Sequence, residues 1–163
     1  MATTDPGLGM LILDSRGDVI LKLGAEGECR LLVSSNALTL ASPVFRAMFT
    51  GGFAESQDLS SASPREVPLP DDNEATTILF CRIIHHNHAK VPAVVDLELF
   101  AQLTVLCDKY QCAAAVRPWA MHWVTVLLPR IGEVGFEKLL LVTHGLDLPA
   151  QFTKVTELLV KDR

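Results

Sequence analysis

The sequence predicts an α+β fold in which helices outnumber strands. Two runs of alternating apolar residues, at positions 19–23 and 29–33, surround a short loop bounded by glycines, and a brief extended run follows at 66–69. Most of the remaining chain carries apolar residues at helical spacing. We therefore expect a small, mostly three-stranded sheet flanked by a cluster of helices, with a helical extension at the C-terminal end.

Three segments are predicted along the chain. Residues 1–16 are a loose lead-in that contains one small apolar island at 10–13. Residues 17–128 form the main domain, and residues 129–163 form the C-terminal helical extension. A chain of 163 residues suits one domain with such an extension.

Composition excludes several classes of function. The formal net charge of −5 argues against direct nucleic-acid binding, which needs clustered Lys and Arg. No apolar run approaches the ~20 residues of a membrane-spanning helix, so no membrane association is expected. The first ten residues lack the pattern of a secretory signal, and the four cysteines show no Cys-x-x-Cys pair. We expect an intracellular protein, cytoplasmic and/or nuclear, with reduced thiols.

The runs at 19–23 and 29–33 predict a β-hairpin, and two short helices should follow it. Ser35 is predicted to cap the first helix, which continues through Leu40. Pro43 suits the first turn of the second helix, which Gly51 and Gly52 end. Three apolar residues of the second helix share one face and are predicted to be core: Phe45, Met48 and Phe49.

Five further helices are predicted after the strand at 66–69. Pro70-Asp71-Asp72 opens a long central helix, and Asp96 caps the next one. The apolar stripe of that helix is Leu99, Leu103, Leu106 and Tyr110, and the stripe of the following one is Val116, Trp119, Ala120, Trp123 and Leu127. For Trp119 and Trp123 we favour a core position over a partner-binding groove. The last two helices run from Phe136 to His144, ended by Gly145, and from Asp147 onward, with Phe152, Val155 and Leu159 inward.

The segment CRIIHHNHAK raises the possibility of a metal site. Cys81 and His85 are one helical turn apart, with His86 and His88 close by, and this spacing suits a shared zinc ion. A structural zinc site needs four ligands, however, and no second pair stands at ligand spacing. We favour the alternative in which Cys81 packs as a small hydrophobe and the histidines end the helix, with no metal bound.

No pattern of catalytic residues is present. The sequence lacks GxSxG, HExxH and a phosphate-binding glycine loop. Ser34-Ser35 and Asp71-Asp72 are each explained by a helix N-terminus. We expect a protein without catalytic residues or cofactors, and not an enzyme.

Phe53 and Glu55 form the one motif whose position favours binding. They follow the glycines that end the second short helix and precede a polar loop. One interpretation is a small satellite core around Phe53 with Glu55 in solvent. The other is an aromatic anchor beside a charge, a combination typical of protein–protein hot spots.

Together, GDVILKLG…CRLLVSS and NALTLASPVFRAMFTGGFAES resemble a BTB/POZ domain. The resemblance depends on Asp18, on the Leu38-x-x-x-Ser42-x-x-Phe45 spacing, on Met48-Phe49 and on Phe53-x-Glu55. VPLPDDNEATTILFCRIIHHNHAKVP and LTVLCDKYQC…WAMHWV are similar to segments of the BTB proteins that are abundant in filamentous fungi. The resemblance covers residues 17–128, and FEKLLLVTHGLDLPAQFTKVTELLV resembles the helical extension that often follows such domains.

The resemblance implies an interaction module. Some BTB domains recruit cullin-type ubiquitin ligases as substrate adaptors, others bind transcriptional corepressors, and many form homodimers. In the cullin-binding members, a hydrophobic-x-Glu motif follows the second short helix, and Phe53 and Glu55 occupy those positions here. The hydrophobic residue would fill a groove on the cullin and the Glu would hold the adjacent geometry, with Met48 and Phe49 as neighbouring candidates for partner binding.

The resemblance also implies an alternative, a homodimerising scaffold, which could act in transcription. Its candidate interface residues are Asp18, Leu11 and Leu13. Ser34-Ser35 replaces the His-Lys pair of many members, and Asp18 has no evident basic partner. Dimerising members often exchange an N-terminal strand preceded by a helix, whereas this chain offers only residues 10–13.

Overall fold

The computed structural model describes residues 4–5, 9–52 and 59–162, and its fold is α+β. The chain divides into two compact units, Met1–Val91 and Pro92–Arg163. The strands lie in the first unit: β1 (Thr4–Asp5), β2 (Met10–Ile12), β3 (Val19–Leu23), β4 (Cys29–Val33) and β5 (Arg65–Leu69). The first unit also contains α1 (Ser35–Ala41), α2 (Pro43–Thr50), α3 (Glu74–Ile84) and a 3₁₀ turn at His88–Lys90.

The predicted hairpin and the third strand are confirmed. β3 and β4 pair antiparallel, with Val19 opposite Val33, and β5 pairs parallel to β3. The sheet is nevertheless wider than the three strands expected, since the described strands follow the order β1-β2-β4-β3-β5. β2 pairs parallel to β4, and β1 pairs antiparallel to β2. β2 lies within the apolar island predicted at 10–13, and its three residues are too few to show an alternating pattern.

The two faces of the sheet differ in polarity. Val19, Leu21 and Leu23 on β3 lie on one face and are fully buried. On the other face, the Glu66 carboxylate accepts hydrogen bonds from Arg30 Nη2 at 2.5 Å and from Lys22 Nζ at 3.4 Å. The bond from Lys22 is the main reason that the pKa of Glu66 is lowered. These pairs connect three neighbouring strands on a face that also carries the buried Ile20 and Leu32.

Two helix starts differ from the prediction. The N-cap of α1 is Ser34, whose Oγ accepts from Ala37 N at 3.3 Å, and not Ser35. The N-cap of α3 is Asn73, whose side chain accepts from Thr76 N at 3.0 Å, so residues 70–72 form the turn that precedes the helix. The predicted limits of α2 are confirmed, with Pro43 in its first turn and Gly51 at its end.

The second unit is helical. It contains α4 (Leu97–Tyr110), α5 (Ala113–Leu127), a 3₁₀ turn at Leu128–Arg130, α6 (Lys138–Gly145) and α7 (Pro149–Lys161). The predicted Asp96 cap is confirmed by its bond from Leu99 N at 2.7 Å. The stripe on α4 is buried except at Leu99, which is half-buried.

The two tryptophans of α5 differ in burial. Trp123 is fully buried, donates from Nε1 to the carbonyl of Pro92 at 2.9 Å, and meets the Phe100 ring edge-on with centroids 5.5 Å apart. Trp119 is half-buried. The core prediction therefore holds fully for Trp123 and in part for Trp119.

The last two helices are shifted from their predicted positions. α6 begins at Lys138 and includes Gly145, while the preceding Phe136 is buried in a turn. α7 begins at Pro149 because Asp147 adopts a left-handed conformation, with φ 55°. Val155 is fully buried, as predicted, but the prediction for Phe152 was wrong, since its ring is 38% exposed beside His144.

In the described part of the chain, no helix combines the length and the apolar character needed to cross a bilayer.

Candidate interaction surface

The motif that carries the binding hypothesis lies outside the described residues. Phe53 and Glu55 belong to residues 53–58, and the structure describes the chain up to Gly52 and again from Leu59. The turn that leads into the motif is described: Gly51 follows α2, and Gly52 has φ 77°, a conformation that glycine adopts at little energetic cost. The glycines therefore end α2 directly before the predicted binding motif.

α2 is anchored by its aromatic side chains. Phe45 and Phe49 are 1% and 4% exposed, and their rings stack with centroids 6.1 Å apart at an interplanar angle of 8°. Phe49 is thus a core residue, as its helical spacing predicts, and presents almost no surface to a partner. Met48 is half-buried and leaves part of its side chain in solvent. Of the two α2 candidates for partner binding, Met48 is the accessible one.

Leu40 is an exposed apolar residue that sequence reasoning did not single out. It lies on α1 and is 73% exposed, whereas Leu38 on the same helix is fully buried. Two residues apart on a helix, the two side chains point to nearly opposite sides. This spacing could have predicted the exposure of one leucine, because two residues that lie two positions apart on a helix cannot both belong to one buried stripe.

Asp18, predicted as a dimer-interface residue, binds within the first unit. Its carboxylate accepts from Ser35 N at 2.8 Å and from Ser35 Oγ at 2.6 Å. The carboxylate comes from the start of β3 and satisfies a backbone donor in the first turn of α1. The preceding Gly17 lies close against the end of β4, since a Cβ there would lie 2.7 Å from the Val33 carbonyl oxygen. The hydrogen-bonding partner of Asp18 is therefore Ser35 and not a basic residue.

Leu11 and Leu13, the other dimer candidates, are half-buried. Leu11 pairs with Leu31 in the parallel ladder between β2 and β4, and Leu13 N donates to the Leu32 carbonyl at 2.9 Å. The backbone of this segment is therefore engaged within its own chain.

His85 connects α3 to the start of α1. Ser34 N donates to His85 Nε2 at 3.0 Å, and His85 Nδ1 lies 2.7 Å from the Cys81 carbonyl oxygen. Because Nε2 accepts, the proton of the neutral ring is on Nδ1, which donates to Cys81. Burial lowers the pKa of His85 below its ordinary value, so the ring is neutral at pH 7.

The geometry of this segment bears on the metal hypothesis. Cys81 is fully buried, and both ring nitrogens of His85 are used by backbone groups. The exposed ring of His86 meets that of His88 edge-on, with centroids 5.5 Å apart. Across residues 9–52 and 59–162, no three His, Cys, Asp or Glu side chains are grouped so that they could hold a metal ion.

The backbone of Cys112 folds back onto that of Cys107 at the end of α4. Gln111 adopts a left-handed conformation after α4, with φ 52°, and Cys112 N bonds to the Cys107 carbonyl at 3.0 Å. The neighbouring Cys112 thiol, followed by burial, raises the pKa of Cys107. Both residues are 1% exposed, so they behave as satisfied core thiols.

Comparison with known proteins adds no relative: no protein-family model matches the chain, and no curated protein sequence matches it.

Proposed function

We propose that this chain is a BTB/POZ interaction module that acts as an adaptor and recruits a cullin-type ubiquitin ligase through Phe53 and Glu55. The observation that carries the proposal is the placement of the helix pair α1–α2 between the β3–β4 hairpin and β5, which returns parallel to β3. This chain order agrees with the BTB resemblance of residues 17–128. In the sequence, the hydrophobic-x-Glu motif follows the glycines that end α2.

The chemistry of the motif suits a protein partner. Phe45 and Phe49 hold α2 in the core and offer almost no surface to a partner. Phe53 provides the large aromatic surface that typically anchors a hot spot, and Glu55 provides a hydrogen-bond acceptor beside it. The exposed Leu40 adds apolar surface on the same helix pair.

The proposal is tested by measuring the affinity of the full chain for the N-terminal regions of cullins. Phe53→Ala should raise Kd roughly thirtyfold or more, the effect of losing a hot-spot aromatic, while Phe53→Leu should retain most of the affinity. Phe152→Ala, which truncates an exposed aromatic of the second unit, is the matched control and should leave Kd unchanged. Circular dichroism should show an intact fold in each variant. Cullin binding that persists in Phe53→Ala/Glu55→Ala at unchanged affinity would exclude this role.

The alternative of a homodimerising scaffold has less support. β2 pairs with β4 of its own chain, and the Asp18 carboxylate binds Ser35. Light scattering over a concentration series distinguishes the two functions, because a strictly monomeric chain could still be an adaptor but not a self-associating scaffold.

A further inference from the structure

The first turn of α1 depends on side chains from three parts of the first unit. A helix leaves its first four backbone N–H groups without partners inside the helix. Here Ser34 N donates to His85, Ser35 N donates to Asp18, and Ala37 N donates to the Ser34 hydroxyl. Of these three acceptors, histidine is the residue type that takes up a proton near neutral pH. The added proton would occupy the nitrogen that accepts from Ser34.

The bond between Ser34 and His85 exists in one protonation state only. In the neutral ring, Nδ1 donates to the Cys81 carbonyl and Nε2 accepts from Ser34. A second proton on Nε2 would turn it into a donor facing the Ser34 N–H, so two donors would oppose each other. The bond to the Cys81 carbonyl would survive, since Nδ1 donates in both states.

We infer that His85 is an acid-sensitive latch: protonation of its ring releases the N-terminal turn of α1 from the C-terminal end of α3. The inference does not depend on cullin binding or on Phe53. It makes α1, which carries the exposed Leu40, more mobile at its first turn in mildly acidic solution.

The surroundings of the ring set the pH at which the latch opens. Burial lowers the pKa of His85 from 6.5 and is the largest influence, and the neighbouring His86 acts in the same direction. The bond to the Cys81 carbonyl and the charge of Asp14, on the loop after β2, act in the opposite direction. Since the folded-state pKa lies below the unfolded one, the stabilising contribution is complete above pH 6.5 and is lost as the pH falls through the folded-state pKa.

Nuclear magnetic resonance on the full chain tests the latch without any substitution. The ring nitrogens of His85 should show the Nδ1–H tautomer at pH 7.5. As the ring becomes protonated, the Ser34 amide loses its acceptor. Its protection from hydrogen exchange should then fall roughly tenfold, as expected for the loss of one hydrogen bond. The Ser42 amide, which ends α1 and bonds to the Leu38 carbonyl at 3.0 Å, should keep its protection.

A pair of variants then separates His85 from its neighbours. In His85→Phe, the Ser34 amide should be poorly protected at both pH 7.5 and pH 5, whereas His86→Gln should retain the pH response of the native chain. An Nε2–H tautomer at neutral pH, an unchanged Ser34 protection after ring protonation, or a ring that stays neutral until the whole chain unfolds would each overturn the inference. These native-chain outcomes decide it even if His85→Phe does not fold.

Discussion

At the scale of single residues, several polar side chains that resemble functional groups in the sequence serve the backbone in the structure. Asp18 bonds twice to Ser35, and His85 bonds to Ser34 and Cys81. From the sequence, Asp18 is a candidate for a dimer interface and His85 is a candidate ligand of a metal site. Their contacts instead explain how a helix as short as α1 is stabilised at its start.

We therefore expect Asp18→Ala to lower the free energy of unfolding by about 1–3 kcal/mol, because the Ser35 amide and hydroxyl lose their acceptor. Ser35→Ala should lower it less, since the amide donor still reaches Asp18. Urea denaturation measures both effects as a lower midpoint at an unchanged slope. The double variant should be little less stable than Asp18→Ala alone, and a fully additive loss would contradict the proposed pairing.

The sequence predicted buried residues better than it predicted polar contacts. Phe45 and Phe49 were recognisable because apolar periodicity determines which face of a helix is buried. The choice between Ser34 and Ser35 as N-cap was not recognisable, since both are good capping residues. In the structure, Ser34 is the N-cap and Ser35 N donates to Asp18, which lies 17 positions earlier in the chain. A local sequence pattern does not reveal such a distant acceptor.

At the scale of elements, Gly145 lies at the end of a helix as predicted, but the structure gives a different reason for the glycine. The sequence predicts a glycine that ends a helix, but Gly145 is the last residue of α6 and has no positive φ. A Cβ at this position would lie 2.6 Å from Thr104 Cγ2 on α4, and Thr104 is buried. The glycine is therefore required by the close approach of two helices.

Gly145→Ala should lower the free energy of unfolding by about 1–3 kcal/mol, because an added methyl group in a packed interior forces neighbouring atoms to move. Thr104→Ser removes the Cγ2 atom that the new Cβ would meet, while it keeps the hydroxyl that bonds to the Phe100 carbonyl at 2.9 Å. Gly145→Ala combined with Thr104→Ser should therefore be more stable than the sum of the two single changes predicts. Thermal or urea unfolding of the four chains gives this coupling energy directly.

Pro68 lies on β5, the last strand in the order of the described sheet. Arg65 N bonds to the Asp18 carbonyl at 2.9 Å, and alternate residues of a strand face the same neighbour, so positions 66 and 68 face away from β3. A proline at position 68 has no N–H to offer there. It removes a donor from the edge without removing a hydrogen bond from the sheet.

Pro68→Val should therefore increase self-association, because it adds an unpaired N–H and a residue with high strand propensity to an edge strand. Analytical ultracentrifugation across a concentration series measures the change. Pro149→Val is the matched control, since the same exchange is made at the start of α7 and outside the sheet. Equal association of both variants would mean that the edge of β5 is not the cause.

The type of an element was predictable where its apolar pattern was long. The residues at which elements begin and end were not predictable. The hairpin and α4 each show an unbroken period over five or more residues. β2 has three residues and relies on its parallel partner β4, so local sequence contains too little information to identify it. The predicted start of α7 at Asp147 was wrong, since Asp147 is left-handed with φ 55° and the helix begins at Pro149.

At the scale of the whole molecule, the cysteines divide between the two compact units. Cys29 and Cys81 lie in the first unit, and Cys107 and Cys112 lie in the second. Only Cys29 is partly exposed. Burial, followed by the charge of Glu74, raises its pKa to about 11, so little of it is in the reactive thiolate form at neutral pH.

Thiol labelling should therefore report on both units of the native chain. At pH 8, Cys29 should react roughly a hundredfold more slowly than an ordinary cysteine, because its thiolate fraction is smaller by that factor, and its rate should rise with pH toward 11. Glu74→Gln should accelerate this reaction several-fold.

Cys81 should become reactive only when the first unit unfolds, and Cys107 and Cys112 only when the second unit unfolds, because all three are buried. Labelling in increasing denaturant, read by peptide mass spectrometry, follows each unit separately, and native-state labelling of any buried cysteine at the rate of Cys29 would contradict the packing described.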